Sequence, residues 1–158
     1  MNISDFTTLD YGYIFHELSQ EEGVKLTSYS DTLNNPTIGI GHLLPPHGLP
    51  VDHIIGRKFN GNITNEECEL IFRQDLLKVL KNLNDGLYPF KQFPDVIQYV
   101  LCSLCFNLGW SGLCHFPKFL AALKAKDYDT AYKELKNSKW FSQVGNRGTK
   151  LTNLILTV

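Results

Sequence analysis

Glu22, Asp31 and Thr37 are the residues of this 158-residue chain whose types and spacing point to acid–base chemistry. Ile14, Leu18 and Glu22 recur every four residues ahead of Gly23, so a helix ending there puts a carboxylate where its apolar stripe would continue. The partial negative charge at a helix C-terminus favours the protonated carboxyl, and burial acts in the same direction. Such an acid is suited to donate a proton near neutral pH. Asp31 and Thr37 flank the turn-forming Asn34-Asn35-Pro36, and a hairpin there could aim both at Glu22. Asp10, Glu17 and Glu21 compete with Glu22 on periodicity alone, and an acidic helix followed by a hairpin is also the pattern of a solvated surface.

Other chemistry-bearing groups have plainer readings. Cys102-x-x-Cys105 with Cys114-His115 invites zinc, but the first pair lies one turn apart inside an apolar helical run and no second C-x-x-C exists. The cysteines are therefore expected as free thiols, most of them buried. Gly39-x-Gly41 lacks the following helix start and the Lys-Ser/Thr of a phosphate loop, so its glycines are read as permitting close backbone approach. Trp110, Tyr132 and Trp140 could stack on sugars, but packing is the commoner role of aromatic residues at helix ends. His42 reads as a structural histidine.

The elements that must position these groups follow from patterning. The segment 24–42 carries Leu26, Tyr29, Ile38 and Ile40 around the turn, which predicts a small antiparallel hairpin sheet. Pro45-Pro46-His47-Gly48-Leu49-Pro50 cannot be regular helix. Thr64 and Glu67 form a capping-box signature ahead of a stripe running Cys68, Ile71, Phe72, Leu76, Val79, Leu80 and Leu83. A second, more uniformly apolar helix starts after Pro94 and is expected to end at Gly109. Shorter helices are expected over 117–126, 129–137 and 146–155, the last with Asn146 as its N-cap. The fold class is α+β and mainly helical, one domain in which a sheet-bearing lobe, a long connecting helix and a helical bundle would leave a cleft.

Composition excludes several classes. The chain is 43% hydrophobic and 20% charged, ordinary for a globular domain and unlike a disordered or fibrous one. Its longest apolar run, 96–106, is short of the roughly 20 residues that a bilayer crossing needs. No Lys or Arg precedes Lys25, so a basic signal-peptide start is missing and a cytoplasmic origin is expected. The net charge of −1 conceals an asymmetry: residues 1–117 hold seven basic and thirteen acidic side chains, residues 118–158 eight and three. That basic quarter could attract an anionic polymer, but no aromatic-basic motif within it indicates nucleic acid.

The stretch Glu22-Gly23-Val24-Lys25-Leu26, Tyr29-Ser30-Asp31-Thr32 and Thr37-Ile38-Gly39-Ile40-Gly41-His42 resembles the phage-type lysozymes, or muramidases, in its E-x8-D-x5-T spacing and the IGIGH that follows. The resemblance extends over about 13–156 through Ile55-Gly56-Arg57, Asn60-Gly61, Phe72 with Gln74-Asp75, Phe106-Asn107-Leu108-Gly109, Ser138-Lys139-Trp140-Phe141 and Asn146-Arg147. It implies a two-lobed lysozyme-like fold, with a sheet lobe at about 24–63, a connecting helix at about 64–83, and a helical lobe at about 84–158 that includes the N-terminal helix. It also implies hydrolysis of the β-1,4 bond between N-acetylmuramic acid and N-acetylglucosamine in peptidoglycan by a monomer, without metal or organic cofactor and without stable membrane insertion. Glu22 would be the acid, with Asp31 and Thr37 holding the attacking water for inversion.

By the same resemblance Arg147 would pair with Glu22 and His42 with Asp75, while Leu43, Phe106 and Asn107 would contact saccharide. Phe119 and Glu134 stand where the T-even phage enzyme carries Ser and Asn, implying altered outer subsites. An enzyme of this kind without an export signal would wait in the host bacterial cytoplasm until a holin admits it to the wall.

Overall fold

The N-terminal helix α1 spans Tyr11–Glu22, and its start is set by Asp10, whose carboxylate accepts the Tyr13 N–H at 3.1 Å. A computed structural model describes all residues, 1–158. Gly23 ends α1 with φ 78°, and Ile14 and Leu18 are fully buried. Fully burying such side chains contributes roughly 1.5–3 kcal/mol each.

After α1 come strands β1 (Lys25–Ser30), β2 (Pro36–Gly39) and β3 (His42–Leu43), all antiparallel in the order β1-β2-β3. The expected hairpin is present, with a third strand added to it. In register, Tyr29 pairs with Thr37 and Thr37 with Leu43, whereas Ile38 pairs with His42. Directly paired residues project to the same side of a sheet. Tyr29, Thr37 and Leu43 therefore form a row across one face, and the buried Ile38 and His42 lie on the other.

The Pro-rich connection is irregular, as its composition dictates, and a one-turn helix α2 (Asp52–Ile55) follows it. Helix α3 spans Asn65–Gly86 and is entered through the predicted capping box. Glu67 accepts the Thr64 N–H at 2.9 Å and Thr64 Oγ1 accepts the Glu67 N–H at 3.1 Å. The Arg57 guanidinium clamps the same carboxylate through contacts of 2.8 and 2.9 Å. The Arg57 hydrogen bond, followed by the Thr64 N–H, holds the Glu67 carboxyl down at about 2.

The chain forms two compact units, Asp10–Lys78 and Met1–Leu9 with Val79–Val158, and the boundary falls within α3. Helix α1 and the sheet both fall within Asp10–Lys78. Aromatic side chains pack within that unit: Phe15 meets Phe72 edge-on at 5.2 Å between centroids, and Tyr11 lies 6.0 Å from Phe15.

In the other unit, α4 spans Asp95–Leu113 but breaks at Gly109, where φ is 74°, and resumes for one turn instead of ending. By length and composition it could cross a membrane, yet every residue from Ile97 to Cys105 is buried in protein. Gln98, which interrupts the apolar run, is fully buried and fully used. Its carbonyl accepts from Thr7 Oγ1 and the Thr8 N–H, and its amide donates to Thr8 Oγ1 and the Phe93 carbonyl. The residues ahead of α1 are anchored by that side chain and by Asn84, whose amide donates to the Phe6 carbonyl at 2.8 Å.

Helices α5 (Pro117–Lys124), α6 (Tyr128–Lys136), α7 (Lys139–Val144) and α8 (Asn146–Ile155) complete the unit. Asn146 is not the N-cap of α8; Gly145 occupies that position, its φ of 59° turning the chain sharply between α7 and α8.

Candidate active site

Glu22 is the last residue of α1, half-buried, and its carboxylate lies against Gly41. A Cβ added to Gly41 would sit 2.8 Å from Glu22 Oε2, and the φ of Gly41 is 67°. Glycine serves here twice, for the left-handed turn into β3 and for the room its missing side chain leaves the acid. Asp10, one of the competing carboxylates, is committed to capping α1.

Asp31 follows β1 directly. Its Oδ1 accepts the backbone N–H groups of Leu33 and Asn35, both at 2.8 Å, while Oδ2 lies 3.4 Å from the Asn35 amide. The Asp31 N–H in turn donates to the Asn35 carbonyl at 2.9 Å. This is an Asx turn: the side chain that the chemistry requires also folds the loop that holds it. The Asn35 N–H, reinforced by Leu33, keeps the Asp31 carboxyl below its ordinary value, so it is ionised across the neutral range. Asn35 was overlooked as a site residue, although Asp followed by Asn-Asn-Pro is a turn signature that points to it.

Thr37 is buried, 2% exposed, and its hydroxyl donates to the Asn35 carbonyl at 2.8 Å. One backbone carbonyl thus receives both the Asp31 N–H and the Thr37 hydroxyl. The sheet and its turn bring Asp31 and Thr37 together, and Leu43, exposed on β3, continues the face on which Thr37 lies.

His42 lies on the opposite face. Its Nδ1 is 2.8 Å from Asp75 Oδ2 on α3 and its Nε2 is 2.8 Å from the Leu49 carbonyl. Both partners are acceptors, so the doubly protonated ring satisfies both. Burial opposes that charge, but the Asp75 hydrogen bond and charge outweigh it and the His42 pKa is raised. A raised value in the folded state means that the pair's stabilisation is complete below the ordinary histidine value of about 6.5 and is lost as pH rises through the folded value. Asp75→Asn is therefore expected to cost about 2–3 kcal/mol near pH 6, less than a fully buried pair because Asp75 is 26% exposed. The difference from wild type should shrink in alkaline buffer, which denaturant melts at both pH values will measure.

Phe106, Asn107 and Arg147 lie in the unit containing Val79–Val158. Phe106 and Asn107 are on α4 just before its break, and Asn107 Oδ1 accepts the Trp140 Nε1–H at 2.8 Å. Arg147, in the first turn of α8, donates to the Ser103 carbonyl and hydroxyl at 3.2 and 3.0 Å. Trp140 is buried, which settles it as packing. Phe119 is likewise 1% exposed and fills the core of its unit. Cys102 and Cys105 are buried in α4, and burial pushes both thiols up, Cys105 to about 12.

A family profile, Phage lysozyme, matches residues 19–155, a span that holds every one of these candidate residues. The chain belongs to the phage lysozyme family. Among its relatives, this family member is 33% identical over 154 residues to the pre-baseplate central spike protein Gp5 of Enterobacteria phage T4, covering 89% of this chain and 27% of that protein. It thus spans about a quarter of the length of that curated relative. It is 30% identical over 155 residues to probable T4-type lysozyme 1 of Dictyostelium discoideum, covering 89% of this chain and 91% of the relative. The endolysin of Salmonella phage P22 is 34% identical over 116 residues, 72% of each chain. Family and relatives support a lysozyme-like function for this chain.

Proposed function

We propose that this member of the phage lysozyme family is a muramidase that hydrolyses the β-1,4 bond between N-acetylmuramic acid and N-acetylglucosamine in peptidoglycan, and so contributes to lysis of the bacterial wall. The observation that carries the reading is the pairing of two differently held carboxylates. Glu22 lies at a helix end against the bare face of Gly41, and Asp31 is tied ionised at the head of the turn beside Thr37. In this reading Glu22 protonates the glycosidic oxygen, and Asp31 with Thr37 positions the water that attacks the opposite face of the sugar. Leu43, on the same sheet face as Thr37, contacts the saccharide. Attack by a held water gives inversion, which requires carboxyl groups about 6.5–9.5 Å apart. The protein acts from the host cytoplasm after a membrane lesion, of the kind a holin makes, admits it to the wall.

The test is digestion of purified peptidoglycan by the wild type and by Glu22→Gln, with the new chain ends read by mass and the first-formed anomer by NMR. New reducing N-acetylmuramic acid ends of inverted configuration, from the wild type alone, are expected. Anhydro ends would mean transglycosylation, and no cleavage by either protein would leave a wall-binding role. Identity to a spike protein favours a second reading of the biological role, with the same chemistry used in entry; finding the chain in purified particles would select it.

Gly41→Ala separates structure from chemistry. The left-handed φ costs a non-glycine residue roughly 1–2 kcal/mol, and the new methyl would push the Glu22 carboxylate aside. A displacement of about 1 Å at a reacting group costs on the order of 10²-fold in rate. Turnover is therefore expected to fall far more than the modest drop in melting temperature accounts for, as paired assays of hydrolysis and thermal unfolding will show.

A further inference from the structure

The row across the sheet face contains one residue that the acid–base reading leaves unused. Tyr29 pairs directly with Thr37, which pairs directly with Leu43, so the phenol stands on the same face as both. Asp31 follows the end of the same strand, two residues beyond Tyr29. The ring is half-buried, and Lys25 Nζ sits 5.7 Å from its centroid, which fixes the ring by a cation–π contact and covers it on that side. The hydroxyl makes no hydrogen bond within the protein. A half-buried phenol normally finds a partner, and here Asp31 Oδ1 is engaged by two backbone N–H groups and the Thr37 hydroxyl by the Asn35 carbonyl.

We propose that Tyr29 is a fourth residue of the site, whose hydroxyl donates a hydrogen bond to the sugar lying over Thr37 and Leu43. The inference rests on the muramidase reading and extends it by one substrate contact. Burial, and then the charges of Glu22 and Asp31, raise the phenol above its ordinary value of 10, so it retains its proton and remains a donor wherever the enzyme works. The same two interactions place it within electrostatic reach of both carboxylates. Because Lys25 covers one side of the ring, the contact is assigned to the hydroxyl and not to stacking.

Tyr29→Phe removes the donor and keeps the ring, its packing and the Lys25 contact. Loss of one neutral hydrogen bond to substrate should lower kcat/KM by about 3–10-fold with the melting temperature unchanged. In a Glu22→Gln background, binding of an uncleaved tetrasaccharide of alternating N-acetylglucosamine and N-acetylmuramic acid should weaken by the same factor when Tyr29→Phe is added, a readout that a purely structural role would not move. If Tyr29→Phe lowers the melting temperature, both comparisons are made at a temperature where each protein is folded. Superimposable kcat/KM and tetrasaccharide affinity, with Glu22→Gln inactive, would overturn the role of Tyr29 and leave the muramidase reading standing. Hydrolysis by Glu22→Gln at the wild-type rate would overturn both.

Discussion

Glu22→Gln is expected to lower wall hydrolysis by at least about 10³-fold while leaving the protein as stable as the wild type or slightly more so. The substitution keeps the side chain's volume and its place against Gly41 but removes the proton that a sugar leaving group needs. A positioned general acid contributes typically 10²–10⁴-fold, and the upper part of that range fits a glycosidic oxygen, which leaves poorly unless protonated. The stability half of the expectation follows from position. Glu22 occupies the last turn of α1, a turn with no basic residue, where a negative charge faces the negative end of the helix dipole. The amide keeps the side chain's shape and carries no charge at that end, so little stability is at stake beside the loss of rate. Dye release from labelled walls, read beside a circular-dichroism melt, tests both halves. A variant that kept a tenth of wild-type turnover would remove Glu22 from the acid's role, and a large drop in melting temperature would show that the carboxylate is chiefly structural.

Local signals in the sequence were legible where one interaction decides the outcome. The stop at Gly23 and the Thr64–Glu67 capping box are each set by a few atoms, and each is present at its expected place. Elements shorter than a period were not legible. β3 has two residues and α2 four, too few for alternation or a helical stripe to register, and both depend on the turns at Gly41 and Gly56. Long-range packing was the other gap. The edge-on packing of Phe15 on Phe72 joins residues far apart in the chain that no local pattern connects. Phe119 is core by its burial, which its position in the sequence does not show.

The same limit explains the site. The family resemblance singles out Glu22, Asp31 and Thr37 as a set, where periodicity leaves Asp10, Glu17 and Glu21 in competition, but the means of holding them are backbone details. A glycine makes room for the acid, and the Asn35 carbonyl receives both the Asp31 N–H and the Thr37 hydroxyl. Neither is visible in hydrophobic periodicity, which records which face is buried and not which carbonyl is shared.

Asp31→Asn is expected to reduce turnover by about 10²–10³-fold with the turn largely retained. The amide oxygen can still accept the Leu33 and Asn35 N–H groups that Oδ1 now accepts, so the loop keeps its principal hydrogen bonds. At the second position the amide would place a donor against the Asn35 amide, which must turn or move away. What is lost is the negative charge available to a water: a neutral amide neither removes a proton nor holds the water's hydrogens as firmly. Because the Asn35 and Leu33 N–H groups lower the Asp31 pKa, the wild-type base stays ionised to a lower pH than a free aspartate, whose value is about 3.9. The acid limb of the wild-type rate should accordingly lie below that value, wherever the protein remains folded. By the same sign, the turn's contribution to stability is present above about pH 4 and lost as pH falls through the lowered folded value. A pH–rate profile of wild type and Asp31→Asn on the same labelled wall decides the matter. An unchanged acid limb in the residual activity of the variant would show that another group sets it, and that Asp31 serves the turn more than the water.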